Sequence, residues 1–223
     1  MKPRFKIFLL LFILLDGLAA FAQQTRFSLA TDFSVQRSLR KDQKYWAIGQ
    51  TVAAHFHLTP TDGVYAWLCY YTNGKFKNDL VGTAKSAIVT PQQVDFINRA
   101  KLSFKQISFG WKHYFIGASD AEENLNVYGM AGLGLLLGRI ENTHSAILDT
   151  SSYLLPVLPG KANFKRLTFD VGLGIEKPVG GDVFMYLEGK VFIPSSGYPS
   201  NYLFVNKDAP LAALLNLGFR ILF

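Results

Sequence analysis

Side chains along this chain alternate in character with a period of two, segment after segment, and that period excludes most folds. In an extended strand successive side chains point to opposite faces, so the pattern describes a sheet with a different environment on each side. Between residues 26 and 36, Phe27, Leu29, Phe33 and Val35 share one face, while Ser28, Ala30, Asp32, Ser34 and Gln36 share the other. The pattern recurs with Trp46, Ile48, Val52, Ala54, Phe56 and Leu58 opposed by Gly49, Thr51, His55 and His57. It returns as Leu167, Phe169, Val171, Leu173 and Ile175 against Arg166, Thr168, Asp170, Gly172, Gly174 and Glu176. Met185, Leu187, Val191 and Ile193 then oppose Tyr186, Glu188 and Lys190. Hydrophobic residues make up 49% of the chain. Even so, no window after Leu15 approaches the roughly 20 apolar residues that a membrane-spanning helix needs. Two solutions remain: a β-rich soluble protein, or a membrane barrel whose lipid-facing side is hidden in the alternation.

Three segments read less cleanly. Residues 64–73 are aromatic on both faces, and their direction stays open. Residues 101–115 begin with Leu102 and Phe104 but continue with Ile107, Phe109, Trp111 and Phe115, the opposite parity, so a bulge near Lys105 is expected. Residues 127–138 are apolar enough to pass for a buried helix. Their four glycines, Gly129, Gly132, Gly134 and Gly138, each disfavour helix by about 1 kcal/mol. A strand, with glycine making room for large side chains from opposite strands, is the better reading.

The beginning of the chain has the form of an export leader. Lys2, Arg4 and Lys6 precede an unbroken apolar run from Ile7 to Leu15, and Ala20-Phe21-Ala22 offers small residues at a cleavage site. Cleavage after Ala22 is expected, with residues 1–22 as signal peptide and 23–223 as one domain. Of the formal net charge of +7, the leader holds three cations and one anion, leaving +5. In an exported chain this points to phosphate-bearing lipid or acidic polysaccharide, not nucleic acid. The single cysteine, Cys69, excludes an intramolecular disulfide.

The expected connections are 37–45, 59–63, 74–100, 116–125, 141–163, 178–182 and 194–210, alternating longer and shorter. Outer-membrane barrels have short periplasmic turns and longer extracellular loops. The last strand alternates as well: Leu215, Leu217, Phe219, Ile221 and Phe223, with Asn216, Gly218, Arg220 and Leu222 between them. It resembles the C-terminal assembly signal of bacterial outer-membrane barrels. The chain from residue 23 on resembles the small eight-stranded members of that class, including the family widespread in the Bacteroidota. The resemblance implies an all-β fold, a closed antiparallel transmembrane β-barrel of about eight strands in the outer membrane with both termini periplasmic. It also implies outer-membrane lipid and lipopolysaccharide as surroundings, and the barrel assembly machinery and periplasmic chaperones as partners in biogenesis.

With the polar faces inward, Lys112, Arg166, Lys190 and Arg220 meet Asp32, Asp170, Glu176 and Glu188 in the lumen. An eight-stranded barrel is about wide enough for side chains to fill. These balanced charges should therefore pair across it; an ion-selective pore would show an excess of one sign. His55 and His57 share a strand face but have no identifiable third metal ligand, so a hydrogen-bonded pair is expected and no metal or cofactor is assigned. His144, Ser145, Asp149 and Glu141 include the residue types of a hydrolytic triad, yet triads are defined by geometry. The His-x-Ser-Asn arrangement of lipid A deacylases is missing. Arg37, Arg40, Lys41 and Lys44 give the first long connection a basic character that suits lipopolysaccharide phosphates. The expectation is a non-enzymatic structural or surface-binding barrel, meeting an unknown protein or glycan through 74–100 and 141–163. A lipid A-modifying enzyme, a small passive pore and a soluble ligand-binding barrel are the alternatives.

Overall fold

The computed structural model describes residues 26–39, 43–194, 202 and 211–223. The expected signal peptide lies outside the described residues, as do Arg40, Lys41 and nearly all of 195–210. Eight strands close into an antiparallel barrel: β1 (Arg26–Ser38), β2 (Trp46–His57), β3 (Asp62–Ala84), β4 (Gln93–Ile116), β5 (Asn126–His144), β7 (Gly160–Gly180), β8 (Val183–Pro194) and β9 (Ala212–Leu222). A two-residue strand, β6 (Tyr153–Leu154), adds to the free upper end of β3. Each strand pairs with its neighbour in sequence, and closure comes from β1 against β9, in register from Ser28↔Leu222 to Ser38↔Ala212. Where all eight strands pair, closure leaves no edge to recruit another chain.

The alternation sorts the side chains as the sequence implies along β1, β2, β7 and β8. Ser28, Asp32, His55, Asp170 and Glu188 are buried inside, while Phe33, Val52, Phe169 and Leu173 are exposed outside. On β3 the inward residues are Tyr65, Trp67, Cys69 and Tyr71, which settles the direction of 64–73. Residues 127–138 lie within strand β5. Inward glycines do make room there: the Tyr65 hydroxyl occupies the space a Cβ on Gly132 or on Gly110 of β4 would need, and the Phe164 ring fills that of Gly138.

Two expectations are corrected. Residues 74–100 are not a loop: β3 continues to Ala84 and β4 starts at Gln93, in register from Gly74↔Leu102 to Thr83↔Gln93. Likewise 141–163 shrinks, because β5 runs to His144 and β7 begins at Gly160. There is no bulge at Lys105, which pairs in register with both Tyr70 and Leu137. The shift falls on β3 instead, between Tyr71 and Gly74. One cause explains both corrections. Below this level most apolar side chains face out, Tyr65, Trp67 and Tyr71 excepted; above it Phe76, Leu80, Phe96 and Leu102 face in, and Lys75, Lys77, Arg99 and Lys101 face out. Leu102 and Phe104 never left the inward parity of β4; the environment that apolar residues seek had changed sides.

The strands consequently differ in height. β1, β2, β8 and β9 have 13, 12, 12 and 11 residues, close to the 9–11 that cross a bilayer. β3, β4, β5 and β7 have 23, 24, 19 and 21. At about 3.3 Å per residue, one side of the barrel rises as a wall beyond the other. Leu80, Phe96 and Val157 form a small second core there, with Ala146, Leu148 and Leu155 packed against it.

Candidate functional site

All eight charged residues expected in the lumen are buried there. Glu176 on β7 is the centre of one group. Lys112 of β4 approaches its Oε2 at 3.2 Å, and Arg220 of β9 grips both carboxylate oxygens, Nε to Oε2 at 3.2 Å and Nη2 to Oε1 at 2.6 Å. The Tyr114 hydroxyl donates to Oε1 at 2.8 Å. Three strands are thus tied across the lumen, and a forked guanidinium on a carboxylate is the strongest such tie available. Arg220 also donates to the Ser119 carbonyl at 2.8 Å, anchoring the 116–125 turn to the last strand.

Glu188 on β8 centres a second group. Lys190 lies 2.5 Å from Oε1, the Tyr128 hydroxyl donates to Oε2 at 3.1 Å, and Asn216 Nδ2 donates to Oε1 at 3.3 Å. The Lys112 ammonium lies 3.6 Å from the centre of the Tyr128 ring, which links the two groups. Asp32 and Asp170 are held otherwise. Ser34 and Tyr186 hydroxyls donate to Asp32 at 2.5 and 2.9 Å, while Ser108 and Gln106 donate to Asp170. Arg166 stands higher, its guanidinium 5.5 Å from the Phe164 ring and donating to the Lys165 carbonyl at 2.7 Å. The space left inside the charged cluster is about 10 Å³, at or below what one water needs.

Above this cluster the interior turns mainly aromatic and aliphatic, with Gln36, Arg166 and Thr168 among the buried polar side chains left there. Tyr71 stacks on Phe104 at 5.0 Å, Trp67 on Phe192 at 5.4 Å, and Tyr45 on Phe76 at 6.0 Å between centroids. A residual cavity of about 30 Å³ lies among Tyr45, Leu102, Phe104, Phe164 and Phe192. Two different fillings therefore occupy one tube.

The other candidates are distributed as follows. His57 shares a 2.8 Å hydrogen bond with the Ser28 hydroxyl, and its ring centroid lies 6.2 Å from that of His55. No group of three metal-ligating side chains occurs among the described residues. The triad-type residues are not brought together. The His144 ring rests on Phe96 at 4.6 Å, Ser145 Oγ accepts from the Ile97 amide at 2.9 Å, and Glu141 pairs with Lys161 at 3.2 Å. Asp149 instead organises its own turn, accepting from the Ser151 amide at 2.9 Å and from the Ser151 and Ser152 hydroxyls. These bonds hold its carboxyl below the usual carboxylate pKa. Arg37 lies over the Trp46 ring at 4.9 Å and Lys44 is exposed.

Outside, Leu215, Leu217, Phe219, Ile221 and Phe223 of the expected assembly signal are all exposed. They belong to an apolar belt that encircles the barrel, including Phe33, Trp46, Phe109 and Leu133. Soluble monomers do not expose apolar patches on this scale. What sequence reasoning missed is the outward face of the raised wall. The alternation of Lys75, Lys77 and Asp79 with Phe76, Asn78 and Leu80 carried the information, with the sides exchanged.

A closed eight-stranded tube with an apolar outside and a filled polar inside has the fold of the small outer-membrane β-barrels. No family model and no curated protein matches the chain. Solved structures do. The attachment invasion locus protein Ail of Yersinia pestis, solved with the heparin analogue sucrose octasulfate, is 9% identical, with 90% of this chain and 99% of that one covered at a TM-score of 0.50. Neisserial surface protein A is 11% identical over 87% of this chain and 96% of its own, with a TM-score of 0.55. A major outer membrane protein of Thermus thermophilus is 12% identical over 89% and 99%, with a TM-score of 0.54. At these identities the likeness is one of fold.

Proposed function

We propose that this protein is an integral outer-membrane barrel with a closed lumen, structural or surface-binding in role, whose working surface is the raised wall of β3, β4, β5 and β7. The observation that carries this reading is the combination of a complete apolar belt with an interior whose charged cluster leaves about 10 Å³. The belt calls for lipid, and the filling leaves no conduit for solutes. The wall extends well past the strand length a bilayer requires and so offers its surface beyond the membrane. In this reading the termini are periplasmic and the wall extracellular, since Phe27 and Phe223 pair at the end opposite the wall. Arg37 and Lys44 then stand on the outer side, as lipopolysaccharide contacts would. The narrower likeness to the Bacteroidota barrel family rests on the sequence pattern. A non-enzymatic role is supported by the engagement of His144, Ser145 and Asp149 in separate packing and turn contacts.

The test is direct. The protein should fractionate with outer membranes, migrate differently before and after boiling, and give no single-channel steps in planar bilayers. Regular conductance steps would overturn the closed lumen, and recovery as a soluble protein of unchanged mobility would overturn the membrane assignment. Replacing His144 or Ser145 by Ala should leave the lipid A mass profile of the cell unaltered; a changed profile would reinstate an enzymatic role.

A further inference from the structure

The outer face of the raised wall is cationic in a place and pattern that its own packing does not explain. Register places Lys105, Leu137 and Lys165 side by side on β4, β5 and β7, immediately above the outward Ile107, Leu135 and Leu167 of the belt. The next tier up is Ser103, Arg139 and Asn163, and above it come Lys75, Lys101, Glu141 and Lys161. Lys77 and Arg99 follow. Glu141 stands across from both Lys101 and Lys161 and lies 3.2 Å from Lys161; among the described residues no other of these cations is within ion-pair distance of a carboxylate. All of these cations are exposed. The outward acids Asp79 and Asp95 stand higher still, toward the tip.

Two features of this set point outward. Lys75 faces Lys101 and Lys77 faces Arg99 as direct cross-strand partners. Like charges so placed destabilise a sheet, and the one acid in these tiers, Glu141, offsets only part of that cost; an external anion reverses its sign. The position is also specific. The lowest cations stand one outward step above the apolar belt, with Lys105 Nζ 5.8 Å from the centre of the Tyr70 ring, at the height where lipid headgroups begin. Lower on β4, β5, β7 and β8 the belt is hollowed into a shallow groove of about 700 Å³, floored by Gly129, Ala131 and Gly189 between Trp111, Phe115 and Val191. A soluble polyanion has no use for a cationic row resting on an apolar wall, whereas a phosphorylated glycolipid presents a phosphate directly above acyl chains.

We infer that the outward face of β3, β4, β5 and β7, from Lys105 and Lys165 up to Lys77 and Arg99, binds the phosphate groups of outer-leaflet glycolipid, with acyl chains lying along the apolar wall beneath. The inference rests on the membrane reading above. Lys105, Lys165 and Arg139 take the phosphate nearest the hydrocarbon, and Lys75, Lys101, Lys77 and Arg99 take the anionic groups of the sugar region. The raised wall thereby gains lateral support at its foot from the headgroups of the leaflet it rises out of.

The experiment uses the full barrel folded in detergent micelles, titrated with bisphosphorylated lipid A, with the same lipid dephosphorylated, and with heparin. The variant K75Q/K101Q/K105Q/K165Q is compared with its Lys→Arg counterpart and with R26Q/K177Q, which removes charge from the opposite end. Each surface cation contributes enough that losing four should weaken binding of bisphosphorylated lipid A at least about tenfold. The Arg counterpart and R26Q/K177Q should stay within about twofold of the parent. Dephosphorylated lipid A should bind the parent protein as weakly as the phosphorylated form binds the Gln variant. Equal binding of the two lipids, or loss of heparin binding with lipid A binding intact, would overturn the inference; the latter would assign the face to an acidic polysaccharide. A change in mobility on boiling, checked for every variant, separates the two levels. A parent that is heat-modifiable but blind to phosphate sinks this inference alone, whereas a parent that is soluble and not heat-modifiable sinks the membrane reading beneath it.

Discussion

The lower and upper halves of the lumen fill the same tube with opposite chemistry. Below, Glu176 and Glu188 gather Lys112, Arg220 and Lys190 into a buried ionic cluster closed by Tyr114, Tyr128 and Asn216. Above, Tyr71, Phe104, Tyr45, Phe76 and Phe192 stack like the core of a soluble protein. The outside explains the division. Where apolar side chains are drawn to lipid, the alternating partners left for the interior are polar and must satisfy one another. Where the wall stands clear of lipid, apolar side chains have only the interior to enter. One rule, that apolar groups avoid water, gives both halves once the outer solvent changes.

The comparison predicts different failures on the two sides. Glu176→Gln leaves Lys112 and Arg220 facing a neutral amide, and uncompensated buried charge costs about 3–5 kcal/mol. A large drop in the urea midpoint of unfolding is expected. Arg220→Leu should act in the same direction, and Arg220→Lys should be milder because a cation remains. A midpoint unchanged in Glu176→Gln would show that the ionic cluster does not hold the lower half together. In the upper half Phe104→Ala should cost about 3 kcal/mol through the cavity it opens. The sharper expectation is that Phe104→Leu recovers most of that loss, whereas no uncharged residue rescues position 176.

Smaller effects are expected outside the lumen. Phe219→Asp and Ile221→Asp, on the exposed face of β9, should each cost about 1–2 kcal/mol, less than a cation at the midplane. Together they should lower surface abundance and heat-modifiability; the same charge placed in 194–210 should not. Normal assembly of the double variant would contradict a lipid-facing β9. The smallest effect belongs to the wall's turn at Asp149. Its folded pKa is depressed by the Ser151 hydroxyl, then by the Ser151 amide and Ser152 hydroxyl. The turn's stabilisation is therefore complete above the unfolded carboxylate pKa and is lost as pH falls through the lower folded one. The protection of the Ser151 amide, its exchange rate compared with that of an unprotected amide at the same pH, should fall below about pH 4 with no change in barrel unfolding. Asp149→Ala should abolish that pH-dependent loss of protection.

The sequence by itself determined the fold class, most of the strands and the inward direction of the eight lumen charges. Each of these depends only on a period of two and on the solvent each face prefers, and both are local properties. It also singled out the row from Leu215 to Phe223 and, because a barrel must close, the pairing of that last strand with the first, which the structure has from Ser28↔Leu222 to Ser38↔Ala212. Tertiary structure alone decided how far β3, β4, β5 and β7 rise, because the apolar face changes sides where the lipid-facing belt ends. A reader of sequence who follows the apolar face outward loses the strand at that point, as residues 74–100 show. It alone decided which charges meet: Glu176 with Lys112 and Arg220, and Asp170, among the described residues, with Ser108 and Gln106 and no cation within ion-pair distance. Partners on strands that are distant in sequence depend on tilt and register around a closed tube. The cationic face of the wall follows from the same register, since Lys75 and Lys101 become neighbours only when β3 pairs with β4.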